Sequence, residues 1–323
     1  KMSDILIEDM QRILPPLPSG KRLAVRLKPK GVKAMRQGHP WVFEDSIERL
    51  SHEGAPGDVA ILFDTNGEFL GAGLYDPNSN IRIRALLHGE RAQLDEAFIA
   101  KLTAKSLALR SGCIPPGTDA FRAANGDSDG FPGIVADIYA DTLVFKLYSA
   151  VWLPWLNACA KGFIAAHPGL KRVVLRLSRE LQREPLAANV PDGLVLPEGL
   201  PSELVFQENF LKFEADPAHG QKTGFFLDQR ENRAEVGRLS AGKNAVLNLF
   251  SYTGGFSLYA ARGGAKNVVS VDFSRPAIEA AERNFKLNYS IPTVKACKHD
   301  GIVGDAFEVL KSIAESKRCF DIV

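Results

Sequence analysis

The fold is decided by Asn248-Leu249-Phe250-Ser251-Tyr252-Thr253-Gly254-Gly255-Phe256-Ser257. The short apolar run at 245–250 reads as a buried strand, and 257–262 reads as a helix. A glycine pair at such a junction lets backbone approach a ligand closely, and the helix amino end favours an anion. A dinucleotide site would carry G-x-G-x-x-G here to cradle pyrophosphate. This turn does not carry it. Small residues after a polar strand end suit a ligand with a carboxylate and no phosphate.

The next elements extend the pattern. Strand 268–272 ends on Asp272, where a carboxylate can accept both hydroxyls of a ribose. A third strand is expected at 293–297, with His299-Asp300-Gly301 just after it and Asp300 in reach of an adenine amino group. Helices are expected at 228–239 and 276–287, and a tight hairpin at 205–213. Alternating strands and helices imply a parallel sheet covered on both faces, with the ligand crevice at the strand carboxyl ends. A lone Gly-Gly is usually a plain turn and a lone Asp a helix cap. Their joint occurrence points to a site.

Upstream, residues 1–20 read as a short amphipathic helix and a proline-rich linker. Residues 21–92 read as β-rich. Leu23, Val25 and Leu27 alternate with Arg22, Arg26 and Lys28, and Asn66-Gly67 marks a hairpin between two apolar runs. Residues 93–202 read as a small α+β unit, with helices at 94–112 and 152–166, strands at 143–147 and 173–177, and a loop region at 185–201. The expected fold class is α/β: a Rossmann-like sheet over 203–323, incomplete at its end, preceded by these two smaller parts.

The bulk numbers exclude little. The chain has 323 residues, 45% hydrophobic and 24% charged, with a formal net charge of +2. That composition is ordinary for a globular protein. No signal peptide or apolar run of spanning length is visible, so a cytoplasmic protein is expected. Cys113, Cys159, Cys297 and Cys319 form no CxxC pair, and no histidine has a partner at metal-ligand spacing, so no metal is expected. Cys297 is expected in the third strand and Cys319 at the start of a fourth, both as buried packing residues. Asp127-Ser128-Asp129-Gly130 lacks the further oxygen ligands of a calcium loop and reads as a turn.

Charge is concentrated locally. Lys21, Arg22, Arg26, Lys28, Lys30, Lys33 and Arg36 fall within residues 21–36 with no acid among them. Such a stripe can neutralise phosphates, although a basic run is more often just a solvated face. A second group, Lys171, Arg172, Arg176, Arg179 and Arg183, has Glu180 and Glu184 inside it, so internal pairing competes there.

Residues 248–257 with Asp272 resemble the first two motifs of class I methyltransferases. Gly220-Gln221-Lys222-Thr223-Gly224-Phe225-Phe226-Leu227-Asp228-Gln229-Arg230 resembles, more specifically, the signature of the large-subunit ribosomal RNA cytosine carbon-5 methyltransferase I family. Gly38-His39-Pro40-Trp41-Val42-Phe43 resembles that family's PUA segment, and Asn125–Gly133 a turn of its central domain. The resemblance runs through nearly the whole chain from residue 21. It implies S-adenosylmethionine as cofactor and 5-methylcytosine formation on ribosomal RNA. It also implies a cofactor pocket lined by Thr223, Gly224, Phe225 and Phe226, with Asp228 and Arg230 ordering the loop. Asn248, Phe250, Ser251, Thr253, Gly254, Gly255, Asp272, Ser274, Asp300 and Gly301 complete the expected pocket. Phe225 and Phe226 could equally be core residues at the helix start.

The chain stops at Val323 in an apolar stretch, and the expectation is a native protein on the order of 70–90 residues longer. Catalytic residues are expected beyond Val323. Alternatives stay open: methylation of a guanine nitrogen, or an inactive RNA-binding assembly factor. A nicotinamide oxidoreductase is disfavoured by the missing glycine fingerprint. A homodimer is not excluded.

Overall fold

The computed structural model describes residues 2–18 and 20–323. Lys1 and Ser19, both in the expected amino-terminal extension, lie outside them. The chain divides into two compact units. The first comprises residues 1–115, 120–202 and 216–224. The second comprises 116–119, 203–215 and 225–323.

The first unit opens with helix α1 (Met2–Ile13), whose Leu6 and Met10 are fully buried in the central core. A six-stranded sheet follows: β1 (Leu23–Leu27), β2 (Trp41–Phe43), β3 (Ile47–Leu50), β4 (Val59–Phe63), β5 (Phe69–Tyr75) and β6 (Ile81–His88). Its order is β2-β6-β5-β4-β1-β3. In β1, Leu23, Val25 and Leu27 face inward while Ala24 and Arg26 face solvent, as the alternation required. Asn66-Gly67 turns between β4 and β5. Gly67 takes φ +83, and Asp64 Oδ1 accepts the amides of Asn66 and Glu68 at 2.8 Å. Helix α2 (Pro29–Arg36) lies within this β-rich stretch, where no helix was expected. Proline at its first turn is preset for helix. Lys30, Lys33 and Arg36 therefore sit on a helix.

A five-stranded sheet, ordered β11-β10-β9-β8-β7, forms the rest of the first unit. Its strands are β7 (Ala120–Asn125), β8 (Ile134–Tyr139), β9 (Thr142–Leu147), β10 (Arg172–Leu177) and β11 (Leu194–Leu196), with helices α3 (Glu96–Ala108) and α4 (Leu156–Ala166). Helix α4 begins later than expected because Ala150–Trp155, with Pro154 inside it, winds as a 3₁₀ segment. Phe131, Phe145, Trp152 and Phe163 fill the core. Strands β7 and β8 escape a periodicity reading because Ala123, Ala124 and Ala136 dilute the β-branched signal.

The second unit holds the hairpin β12 (Leu204–Glu208) and β13 (Leu211–Ala215), then α5 (Arg230–Leu239), β14 (Ala245–Leu249), α6 (Gly255–Gly263), β15 (Asn267–Asp272), α7 (Arg275–Leu287), α8 (Pro292–Ala296), β16 (Lys298–Val303) and α9 (Ala306–Glu315). β14, β15 and β16 pair in parallel in that order. On the other side of β14, Val246 bridges Ile322 in parallel, and the Leu247 amide donates to the Ile322 carbonyl at 2.9 Å. The order therefore reverses at β14, which makes its carboxyl end a topological switch point, where open α/β sheets bind ligands.

One element was misread. Residues 293–297 are not the third strand. Pro292 starts the short helix α8, and Val294 is fully buried. The strand is β16, whose opening Lys298-His299-Asp300-Gly301 hides it from a hydrophobic pattern. Cys297 is consequently the residue that ends α8.

Candidate cofactor site

The turn after β14 is bent by two bulky residues in left-handed backbone, Phe250 (φ 56) and Tyr252 (φ 47). Such conformations persist only where the surroundings over-determine them. Here the Ser251 amide donates to the Val271 carbonyl at 2.9 Å, and the Tyr252 amide to Asp272 Oδ2 at 2.7 Å. The hydroxyls of Ser251 and Thr253 are buried and have no hydrogen-bond partner among the described residues. An unsatisfied buried hydroxyl costs about 1–3 kcal/mol, so a polar ligand here would be repaid.

The glycine pair has a packing reason. Gly254 takes φ +75, and a Cβ on it would meet Ala281 Cβ at 2.7 Å. A Cβ on Gly255 would meet Arg233 Cδ at 3.0 Å and Phe225 Cζ at 3.3 Å. Both glycines let α6 start close against its neighbours.

Asp272 ends β15 and is half-buried. Oδ2 holds the turn through Tyr252, and Oδ1 accepts the Ser274 amide at 2.9 Å. Ser274 caps α7 by accepting the Ala277 amide. Asp300 and Gly301 do not follow a strand. They lie within β16, with Asp300 opposite Val269 and 3.7–3.8 Å from Arg318 and Lys298. A Cβ on Gly301 would strike Ile278 at 2.6 Å, so this glycine admits α7. The carboxylate after the true strand end is Asp305, which caps α9 through the amides of Phe307 and Glu308. Its signal was Ile302-Val303-Gly304-Asp305, an apolar pair and a glycine before an acidic cap.

Asn248 starts a buried polar chain across the sheet. Its Nδ2 donates to Ser257 Oγ at 2.9 Å, Ser257 meets Ser270 at 2.7 Å, and Ser270 meets His299 Nε2 at 2.8 Å. The His299 ring stacks on Phe285 at 3.9 Å. Burial lowers its pKa to about 4, against a smaller opposing pull from Asp300.

Phe225 is a core residue, 3% exposed, with its ring among Phe206 and Phe213 and the Arg233 guanidinium 4.5 Å over its face. Phe226 is half-buried and meets Tyr252 edge-on at 5.4 Å. Asp228 is exposed in the 3₁₀ turn before α5, and Arg230 at the start of α5 pairs with Glu231. Arg233, missed in the sequence, forms a bidentate pair with Glu208 at 2.7–2.8 Å, buried on both sides, and donates to the Phe226 carbonyl. Thr223 and Gly224 belong to the first unit. The Thr223 hydroxyl donates to the buried Asp137 at 2.6 Å, and Arg176 holds the carbonyls of Pro217 and Gly220.

Three aromatics stand exposed after successive strands of the second unit: Phe250, which was expected in the pocket, and Phe273 and Phe307, which were not. Large exposed apolar rings beside a strand-end crevice are surface for a flat ligand.

The seven basic residues at 21–36 are all exposed. Acids reach two of them from outside the stripe, and a backbone carbonyl a third. Lys30 pairs with Asp45, Arg36 with Asp64 and Glu68, and Lys28 bonds the Asp45 carbonyl. In the second basic group, Lys171 and Arg172 pair with Asp141 and Arg176 with Asp192, rather than with Glu180 and Glu184. Burial pushes the Cys297 thiol up to about 11. Cys319 corrects an expectation: it is exposed, because the last segment forms a single bridge at Ile322 and leaves residue 319 outside the sheet. Among the described residues no cluster of His, Cys, Asp and Glu could hold a metal, and no helix is long and apolar enough to cross a membrane.

Residues 197–306 match the family model of S-adenosylmethionine-dependent methyltransferases, and residues 25–87 that of PUA-like domains. A protein described as a SAM-dependent methyltransferase from Streptococcus mutans shares the fold, with a TM-score of 0.72 at 24% identity over 93% of this chain and 75% of that one. The switch-point turn, the acidic strand end and the matched model define an S-adenosylmethionine-dependent methyltransferase. A ribosomal RNA large subunit methyltransferase from Deinococcus radiodurans is 45% identical, covering 95% of this chain and 76% of its own length. Ribosomal RNA large subunit methyltransferase I from Pseudoalteromonas translucida is 34% identical, covering 93% and 74%. The chain belongs to the ribosomal RNA large subunit methyltransferase I family.

Proposed function

We propose that the protein methylates large-subunit ribosomal RNA, forming 5-methylcytosine, with domain limits at residues 21–92, 93–202 and 203–323. The observation that carries the reading is the turn after β14, with two buried hydroxyls lacking partners beside a strand-end carboxylate. S-adenosylmethionine supplies an electrophilic methyl group when bound. This chain's residues would hold it. The unpartnered hydroxyls of Ser251 and Thr253, beside the Gly254-Gly255 turn that starts α6, suit a carboxylate at a helix start. Asp272 suits ribose hydroxyls, and Asp305, rather than Asp300, suits an adenine amino group. Phe250, Phe273 and Phe307 offer ring faces and edges. Asn248 keeps the strand end in place through Ser257. Phe225, Phe226, Asp228 and Arg230 shape the turn from the α5 side, and Thr223 and Gly224 fix the preceding loop.

The exposed stripe from Lys21 to Arg36 supplies cations for RNA phosphates. Ribosomal RNA as substrate puts the protein where ribosomes are assembled, in the cytoplasm. Carbon-5 methylation requires a thiolate that adds to carbon 6 of cytosine, and no residue of this chain is assigned that role.

Calorimetry with S-adenosylmethionine tests the pocket. Asp272→Ala weakens binding at least tenfold, about 1.4 kcal/mol. Asp272→Asn, which keeps one acceptor oxygen, falls between. Unchanged affinity in Asp272→Ala sinks the assignment. Mass spectrometry of methylated ribosomal RNA separates 5-methylcytosine from a methylguanine.

A further inference from the structure

Arg84 lies on β6 and is 7% exposed. Buried arginines ordinarily sit on a carboxylate. The guanidinium of Arg84 makes no hydrogen bond or ion pair with any described residue, and its Nε is buried without a partner. Burial pulls its pKa below the usual arginine value, and Asp76 and Asp127 offset this only in part. The turn Asn125–Gly133 closes beside it. Gly133 takes φ +90, and a Cβ there would lie 3.0 Å from Arg84 Nε, so only glycine leaves room for the fork. On the same turn, Asp127 Oδ1 accepts from Trp41 Nε1 at 3.1 Å.

Arg84 lines a cavity of about 360 Å³ between the six-stranded and five-stranded sheets. That is enough for a small planar ligand. The other walls carry three carboxylates, one ring, a few amide and hydroxyl side chains and three apolar ones, and Asn78 Nδ2 already donates to Glu184 at 3.2 Å. Glu180 and Glu184 stand at the rim with Tyr148, which is 55% exposed. Asp76 is deeper and already receives the Asn78 amide and the Ser149 hydroxyl. Three carboxylates against one guanidinium repel a phosphate, so the occupant is neutral, with acceptors for a fork and donors for a carboxylate.

We propose that this cavity takes an unstacked guanine of single-stranded RNA. Guanine presents two adjacent acceptors, O6 and N7, which match an arginine fork, and on another edge N1–H and N2–H₂, which match a carboxylate. Adenine would turn its amino group toward the donors of Arg84. Cytosine crowds its acceptors and its amino group onto one edge. Tyr148 supplies a face for stacking, as single-stranded RNA recognition commonly uses. The base is read here and is not the base that is methylated. The proposal rests on the RNA reading given above.

The test uses the full chain and a short fluorescein-labelled oligouridine carrying one guanosine, adenosine or 7-deazaguanosine, with the all-uridine oligomer as reference. Anisotropy is expected to show the guanosine oligomer binding about tenfold tighter than the reference. The 7-deaza analogue, which removes N7 without touching the protein, loses most of that gain. Arg84→Met and Glu180→Gln abolish the gain while leaving the all-uridine affinity unchanged. Should Arg84→Met fail to fold, the exposed Glu180 variant and the analogue still decide. Equal affinity of the wild type for all oligomers overturns the pocket and leaves the RNA reading standing. Failure to bind any oligomer, by protein that still binds S-adenosylmethionine, overturns both.

Discussion

Asn248 Nδ2 donates to Ser257, and the chain continues through Ser270 to His299 Nε2. Burial lowers the His299 pKa to about 4, so its ring is neutral at pH 7. The unfolded ring protonates near 6.5, so between pH 6.5 and 4 the unfolded state binds more protons and stability falls with pH. A urea midpoint followed by circular dichroism should fall across that window, and His299→Gln should flatten that part of the slope. An unchanged slope would show that the ring is accessible. At this scale the sequence placed Asp272 correctly at a strand end, where it holds the turn. It misled at Asp300, because a carboxylate inside a polar-looking strand imitates one that follows a strand. Arg233 and Arg84 were invisible, since nothing local tells a buried arginine from a solvated one.

At the scale of elements, alternation and turn residues found the hairpin β12–β13 and the strand–helix succession through α7. They failed at α8, where Thr293 and Val294 carry strand propensity and Pro292 overrides it. What fastens the hairpin within the second unit is the Glu208–Arg233 pair, with the Tyr259 hydroxyl on Glu208 at 2.9 Å. Burial also raises the Tyr259 pKa. Removing one partner strands a buried charge, which costs about 3–5 kcal/mol. Glu208→Leu and Arg233→Met are each expected to lose that much in urea unfolding. The double variant should lose clearly less than the two losses added together. Simple additivity would mean that the pair acts through packing alone.

At the scale of the whole molecule, the basic stripe looked uniform in sequence. Folding divides it. Lys21, Arg22, Arg26 and Lys33 have no ion-pair partner among the described residues, whereas Lys30 and Arg36 are paired by acids distant in sequence. The unpaired group should dominate RNA affinity. Each single-stranded phosphate contact contributes about 0.7 to the slope of log K against log salt. Arg26→Ala and Lys33→Ala should each flatten the slope by roughly that amount, equally for all sequences, while Lys30→Ala does less. The same titration with Asp272→Ala should match the wild type. The family was legible from the loop at 220–230 and the turn at 248–257, because both hold special backbone. The internal pairing of charges was not, because it needs the fold to bring Asp45 and Asp64 to the stripe.

The two units are interleaved along the chain, and this fixes an order of events during synthesis. Residues 216–224 complete the first unit, where Thr223 bonds Asp137 and Arg176 grips Pro217 and Gly220. As the nascent chain emerges, the six-stranded sheet can form once residue 88 is out. Asp137, held by Arg122, and Arg176, held by Asp192, then wait for these last contacts until the hairpin of the other unit has also emerged. The last nine residues of the first unit therefore arrive together with the opening of the second, and a chain released after residue 202 carries a buried carboxylate without its hydroxyl.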